Sequence, residues 1–254
     1  MREVTLVYLI TLTLVGFYGC KDISDTKDQD IPFKKISSSY SGIEFSNTIT
    51  PNLENYENLF DYDYFYNGSG VGIADINNDG LQDILFTANQ KDNKLYLNKG
   101  DLKFEDITSN SGINENKGWA SGITFVDINA DGWLDIYISQ GGPYNPSIRE
   151  NVLLINNQDL TFTESSKEYG LNDGGISTQS AFFDYDNDGD LDCIVMNENQ
   201  FFGFDPISFF KKFKNKKVLM ENSSHLYEQI DGKFINVTEK AGILSPTFGL
   251  GLCI

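Results

Sequence analysis

The sequence predicts an all-β fold, a β-propeller assembled from four-stranded blades, and three observations predict it. An aspartate-rich pattern, Asp-x-Asn/Asp-x-Asp-Gly-x-x-Asp, occurs three times, beginning at Asp75, Asp127 and Asp184. A second pattern, a phenylalanine followed eight or nine residues later by Gly-Ile or Gly-Leu, occurs four times: Phe33…Gly42-Ile43, Phe104…Gly112-Ile113, Phe162…Gly170-Leu171 and Phe234…Gly242-Ile243. Between them lie short runs rich in β-branched and aromatic residues, set apart by Asn, Asp, Gly and Lys turns, and no segment holds a sustained helical period.

The aspartate patterns recur after 52 and 57 residues and the phenylalanine patterns after 71, 58 and 72, periods that suit blades with loops of variable length. In the first full unit the strands are expected at Ser69 to Ala74, Ile84 to Ala88, Lys94 to Leu97 and Lys103 to Ile107. Four strands per unit, repeated, is blade architecture rather than sandwich or solenoid. Two stretches interrupt the repeat, Tyr56 to Tyr66 and Phe201 to Lys217, and both read as insertions or long loops.

A chain of 254 residues with 40% hydrophobic content can bury a substantial core. Its 37 acidic against 19 basic residues give a formal charge of −18, which opposes binding to nucleic-acid phosphate or an anionic membrane surface. Cations are the natural partners. Met1 to Cys20 reads as an export signal, with Arg2 ahead of an apolar run from Val4 to Phe17 that is too short to span a bilayer. Gly19-Cys20 resembles a bacterial lipoprotein signal, in which Cys20 is lipidated and becomes the first mature residue; the alternatives are an ordinary cleaved signal peptide, which would leave the protein secreted, and a buried strand. The expected organisation is therefore a signal over residues 1–20, a polar tether over 21–30 and blades over 31–254. Cys193 and Cys253 sit in apolar runs as buried strand thiols, with no disulfide framework. Gly70 and Gly122 each stand five residues before the first aspartate of a loop. Gly251 in the same place would put the next aspartate two residues beyond Ile254. The sequence thus predicts an incomplete propeller, truncated inside a further first strand, with Leu250, Leu252 and Ile254 lacking partners on an open edge that invites association.

The aspartate loops carry the chemistry. Calcium takes six to eight hard oxygen ligands, so a loop offering oxygen at alternate positions can wrap it. The first loop places Asp75, Asn77, Asp79 and Asp83 at positions 1, 3, 5 and 9, with Gly80 at the turn and Leu81 giving its backbone carbonyl. The second places Asp127, Asn129, Asp131 and Asp135, with Gly132 at the turn and Trp133 as carbonyl donor. In the third the set is Asp184, Asp186, Asp188 and Asp192, with Gly189 at the turn and Asp190 as carbonyl donor. An EF-hand is excluded, because position 12 is Phe86, Ile138 and Val195 instead of glutamate and the flanks are strand-like. Asp, Asn and Gly also favour tight turns without metal. Three copies in register, each crowding carboxylates that would repel without a cation, point to Ca2+.

The phrases GSGVGIADINNDGLQDILFTANQKDNKLYLNKGDLKFEDIT and GWASGITFVDINADGWLDIYIS resemble FG-GAP/VCBS repeat proteins, the integrin-α N-terminal-like β-propellers, and in particular their bacterial cartilage-acidic-protein-like group. The resemblance covers Ile31 to Ile254. It implies calcium bound by these loops within each blade, placement at the cell surface or outside the cell, and a binding role toward a glycan or an extracellular protein. It does not imply one ligand. The expectation is an exported calcium-binding module, not an enzyme, attached to a membrane only through a lipid at Cys20. The competing expectation is part of a polysaccharide hydrolase or lyase. A carboxylate left over in a cleft would separate the two. Glu54, Glu57, Asp61 and Asp63 remain, but they lie in an insertion without a basic or histidine partner. His225, the single histidine, excludes a histidine triad for want of partners and is expected to be packed or solvated. The insertions offer aromatic rings for stacking, and a lysine cluster (Lys211, Lys212, Lys214, Lys216, Lys217) for an anionic partner.

Overall fold

A computed structural model describes residues 33–114, 118–142, 149–201, 205–249 and 251–252. The chain divides after Ser37 into two units. Of the first, residues 33–37 are described and carry neither helix nor strand.

The second unit contains three sheets. The first is β1 (Val71–Ala74), β2 (Asp83–Phe86), β3 (Lys94–Asn98) and β4 (Phe104–Asp106). The second is β5 (Trp119–Val126), β6 (Asp135–Gly141), β7 (Val152–Asn156) and β8 (Phe162–Glu164). The third is β9 (Ile176–Phe183), β10 (Asp192–Glu198), β11 (His225–Ile230) and β12 (Lys233–Asn236). Each is an antiparallel meander in chain order, as blades require. The four strands expected in the first unit are all present, each within two residues of its expected bounds. Register repeats as well: Ala74 pairs with Asp83, Val126 with Asp135 and Phe183 with Asp192, so every aspartate loop closes the first hairpin of its sheet.

The phenylalanine pattern marks a second conserved local shape within this chain. Phe104, Phe162 and Phe234 lie in the fourth strands, and one-turn helices α1 (Ser38–Ser41), α2 (Thr108–Ser111) and α3 (Ser166–Tyr169) precede Gly42, Gly112 and Gly170. These glycines hold φ of 78°, 78° and 82°, the left-handed region that ends a helix. A side chain at Gly42 or Gly170 would also meet the carbonyl oxygen of Phe104 or Phe234 at 2.5 Å, so only glycine fits. The residue that follows, Ile113 or Leu171, is then buried.

Of the two interruptions of the repeat, one is more than a loop. Phe201 to Lys217 is not a long loop: it holds α4 (Pro206–Lys212) and the start of α5 (Lys216–Met220). Asp205 caps α4 by accepting from Ile207 and Ser208 N–H, with Pro206 at the first position, and Asn215 caps α5 by accepting from Lys217 and Val218 N–H. Tyr56 to Tyr66 is an insertion of turns, and its Tyr62 and Phe65 pack with Trp119 and Ile176 in a small core of their own.

The main cores lie between sheets. Leu85 and Leu95 of the first sheet meet Ile136, Ile138 and Leu154 of the second. Tyr137 and Leu153, on the other face of the second, meet Cys193, Val195 and Tyr227 of the third. Strand β6 is consequently buried along its whole length. Hydroxyls tie the first strands together: Ser69 Oγ donates to Ala120 O at 3.0 Å and Ser121 Oγ to Ser177 O at 2.7 Å. Thr178 Oγ1 donates to Gly249 O at 3.0 Å, which gives Gly249 the same place beside the third sheet. Leu252 is half-buried. Cys20, Leu250, Cys253 and Ile254, with the expected signal and tether, lie outside the described residues.

Candidate functional site

Each aspartate loop is folded by its own side chains. In the first, Asp75 accepts from the N–H groups of Asp79 (3.1 Å) and Gly80 (2.7 Å), and Asp79 Oδ1 accepts from Leu81 N–H at 2.8 Å. The second repeats this: Asp127 accepts from Asp131 (3.0 Å) and Gly132 (2.9 Å), and Asp131 from Trp133 (2.9 Å). Asn77 and Asn129 hold Asp79 and Asp131 through their amide N–H groups at 3.0 and 3.1 Å. In the third loop Asp184 accepts from Asp188 and Gly189, both at 3.2 Å, and Asp188 from Asp190 at 3.1 Å. Gly80, Gly132 and Gly189 take φ of 86°, 86° and 98°, which is why the sixth position is glycine.

The aspartates at position 9 have another local task. Asp83, Asp135 and Asp192 are buried at the head of β2, β6 and β10. One oxygen of each accepts from the second residue of its loop, Ile76, Ile128 or Tyr185, at 3.1, 3.1 and 2.9 Å. The other oxygen accepts from the third strand, from Asn98, Asn156 or Gln229 N–H, at 2.8, 2.8 and 2.9 Å. They staple loop to sheet. Burial raises Asp83 and pushes Asp135 up to about 6, against the opposing effect of those N–H groups.

The third loop brings Asp184, Asp186 and Asp188 together, with one oxygen of each within 4.8 Å of the others. Asp186 and Asp190 sit above the usual carboxylate range, through desolvation first and then through the charges of Asp188 and Asp192. Asp190 Oδ1 is buried without a hydrogen-bond partner among the described residues. Three clustered carboxylates, neighbours that repel, and an orphaned oxygen fit a hard divalent cation.

Histidine 225 lies in the third sheet's core. Its Nδ1 meets Asp173 Oδ2 at 2.5 Å and its Nε2 meets Met220 O at 2.8 Å. A carbonyl can only accept, so Nε2 carries a proton and donates it to Met220 O. Against burial, which would lower the ring, the Asp173 carboxylate at Nδ1 raises it above its ordinary value, and neither nitrogen faces a substrate. Asp173 also accepts from Tyr227 O–H at 2.7 Å and Gly175 N–H at 2.7 Å.

The opposite end of the sheets, where β1, β5 and β9 begin, holds a cavity of about 320 Å³. Tyr62, Tyr64 and Trp119 line one side, Thr178 and Gln179 another, and Glu198 at the end of β10 reaches its wall. Glu198 is fully buried, and neither carboxylate oxygen has a hydrogen-bond partner among the described residues. Burial first, and Asp63 second, push its carboxyl up to about 8. Neither the aspartate nor the phenylalanine pattern marks it. Aligned on the aspartates that lead the second strands, Asn89, Gly141 and Glu198 share a position, and an acid closing a buried strand was the available signal. Among the described lining residues Glu198 is the one carboxylate, which falls short of the two that flank a bond in glycoside cleavage. Of the leftover acids, Asp63 acts on Glu198 from an exposed position, and Glu57 accepts a hydrogen bond from Gln90 at 2.5 Å. Within the lysine cluster, Lys216 pairs with Glu239 at 2.6 Å and Lys212 lies 4.3 Å from the Phe201 ring centre.

Residues 64–138 match the family model of the FG-GAP-like repeat. Cartilage acidic protein 1 of Xenopus tropicalis is 30% identical over 131 residues, which is 51% of this chain and 20% of that protein. This chain therefore matches about a fifth of its relative's length. A solved lectin of Agrocybe aegerita, described as specifically recognising non-reducing terminal N-acetylglucosamine, aligns with 65% of this chain and 36% of that one, with a TM-score of 0.35 and 21% identity. So slight a likeness says nothing of the ligand here. The first sheet, β5 and the start of β6 thus fall within a recognised repeat, and the matches support an FG-GAP-like repeat over that part of the chain.

Proposed function

We propose that this chain is a calcium-binding recognition module, exported to the cell envelope or surface and held there by a lipid on Cys20, with a glycan or an extracellular protein as its partner. One observation carries the calcium reading: the same aspartate loop is built three times, and its most acidic copy gathers the oxygens of Asp184, Asp186 and Asp188 within 4.8 Å. Asp75, Asn77, Asp79 and Asp83, and Asp127, Asn129, Asp131 and Asp135, would hold the ion in the first two loops, with the carbonyls of Leu81 and Trp133. Asp192 and the Asp190 carbonyl would complete the third. The ion would supply positive charge to crowded carboxylates and so stiffen the hairpins that carry them. The matches to an FG-GAP-like repeat support recognition over hydrolysis.

Thermal denaturation in calcium, magnesium and chelator tests this. Calcium is expected to raise the midpoint and magnesium to do so poorly, because the loops offer a flexible oxygen cage and not a strict octahedron. At a hundredfold excess over Kd, each independent site would add about 2.7 kcal/mol. By calorimetry Asp184→Ala should abolish the tightest site, since its loop has one more carboxylate among the alternate positions than the others. Melting curves that ignore calcium and chelator alike would remove the proposal.

A further inference from the structure

We propose that the cavity at the start of β1, β5 and β9 binds a small molecule through a primary ammonium group, with the Glu198 carboxylate as its acceptor. The inference goes beyond the calcium loops and does not depend on them, because they lie at the other end of the sheets.

A carboxylate buried without partners is costly unless it is protonated or neutralised by a cation. No lysine, arginine or histidine occurs among the described residues lining this cavity. Arg149, the nearby buried cation, donates through Nε to Gly174 O at 3.0 Å and acts on Tyr62 and Asp173. The groups that act on Glu198 from the insertion make matters worse for its charge. Asp63 raises it, and Tyr62 and Tyr64 are raised by it in turn, after burial. The wall therefore holds a buried, unpartnered carboxyl that a cation would neutralise on ionisation.

The identity of the cation follows from the donors. Calcium needs six to eight oxygens and would find one carboxylate. An ammonium has three N–H donors, which match the two Glu198 oxygens and one neutral acceptor. Glu198 and its neighbours Trp119 and Tyr62 are almost wholly buried, so a slender group is what a small movement of the wall would admit to the carboxylate, where a flat ring could not stack. The volume suits a short alkylamine or an amino sugar, both at the small end of ligand sites. On binding near neutral pH, Glu198 gives its proton to solvent and the ammonium keeps its own.

Titration calorimetry on the full chain in calcium-containing buffer tests this with n-butylammonium and glucosamine, and with n-butanol and N-acetylglucosamine as uncharged counterparts. The amines should bind saturably and the counterparts should not. At pH 7, buffers of different ionisation heat should show close to one proton released per n-butylammonium bound, and its affinity should rise by roughly tenfold per pH unit until about pH 8. Glu198→Gln should weaken amine binding by at least about tenfold. The variant should still fold, melting level with the natural protein at pH 5 and above it at pH 9, because it removes an acid whose ionisation opposes folding as pH rises. Tighter binding of glucosamine than of butylammonium assigns the group to an amino sugar, and the reverse order assigns it to an alkylamine. No saturable amine binding, equal binding of the uncharged counterparts, or amine binding without proton release would each overturn the proposal.

Discussion

Ala130 holds φ of 56° at the fourth position of the second aspartate loop, where Asn78 and Asn187 hold 57° and 63° in the other two. A left-handed backbone crowds an L side chain by roughly 1–2 kcal/mol, and asparagine tolerates it better than alanine because its short amide bonds locally. Ala130→Asn should therefore stabilise the chain by about 1 kcal/mol, read as a higher urea midpoint at unchanged slope. An unchanged midpoint would show that this loop does not hold the conformation in solution. The neighbouring aspartates were legible as a set because their spacing is periodic. Their division of labour was not, since burial of Asp83, Asp135 and Asp192 depends on strands that arrive 15 to 37 residues later.

At the scale of elements, the hairpins could be read from sequence because each is specified by glycine and aspartate within about ten residues, whereas the one-turn helices were marked only by the glycine that ends them. The helices α4 and α5 could not be read from periodicity, being seven and five residues long, although Asp205-Pro206 and Asn215 were start signals in plain view. The pair that joins the approach to β9 with the start of β11 gives a pH test. Burial would raise Asp173, but the hydrogen bonds from His225 and Tyr227 and the histidine charge bring it below its ordinary 3.8. Burial would lower His225, but Asp173 carries it above its ordinary 6.5. The carboxylate's contribution is present above 3.8 and lost as pH falls through its lowered value. The histidine's is full below 6.5 and lost as pH rises through its raised value. Asp173→Asn should cost about 3–5 kcal/mol near pH 5.5, as for other broken buried pairs. The deficit of His225→Gln against the natural protein should shrink as pH climbs from 6 to 9. A deficit independent of pH would mean that the pair is not charged.

At the scale of the whole molecule, the packing of sheet on sheet leaves an outer face. Gly72 in β1 turns toward Ile123 and Phe125 of the second sheet, whereas Val71 and Ile73 turn away and are 59% and 61% exposed. Phe45 covers part of the same sheet by stacking on Phe86 with ring centres 4.8 Å apart. A strand face with two exposed β-branched residues invites self-association. Sedimentation velocity should show concentration-dependent association, and Val71→Thr with Ile73→Thr should reduce it while keeping strand propensity. A monomer at every concentration for both proteins would contradict this. The hydroxyls of Ser69, Ser121 and Thr178 act at the same scale, and no sequence pattern marks them because a lone serine or threonine has no meaning until its partner segment supplies a carbonyl.

The sequence by itself determined the all-β class, the four-stranded units, their register at each aspartate loop and the glycines that turn the chain. All of these depend on local backbone chemistry and repeat at fixed spacing. Only the tertiary structure decided that His225 is an ion-paired core residue and that Glu198 is an unpartnered acid in a cavity. Whether a buried charge has a partner depends on residues far apart in the chain: Asp173 stands 52 residues before His225, and Asp63 stands in an insertion 135 residues before Glu198. Such pairs obey no period, so they become visible only when the sheets bring them together.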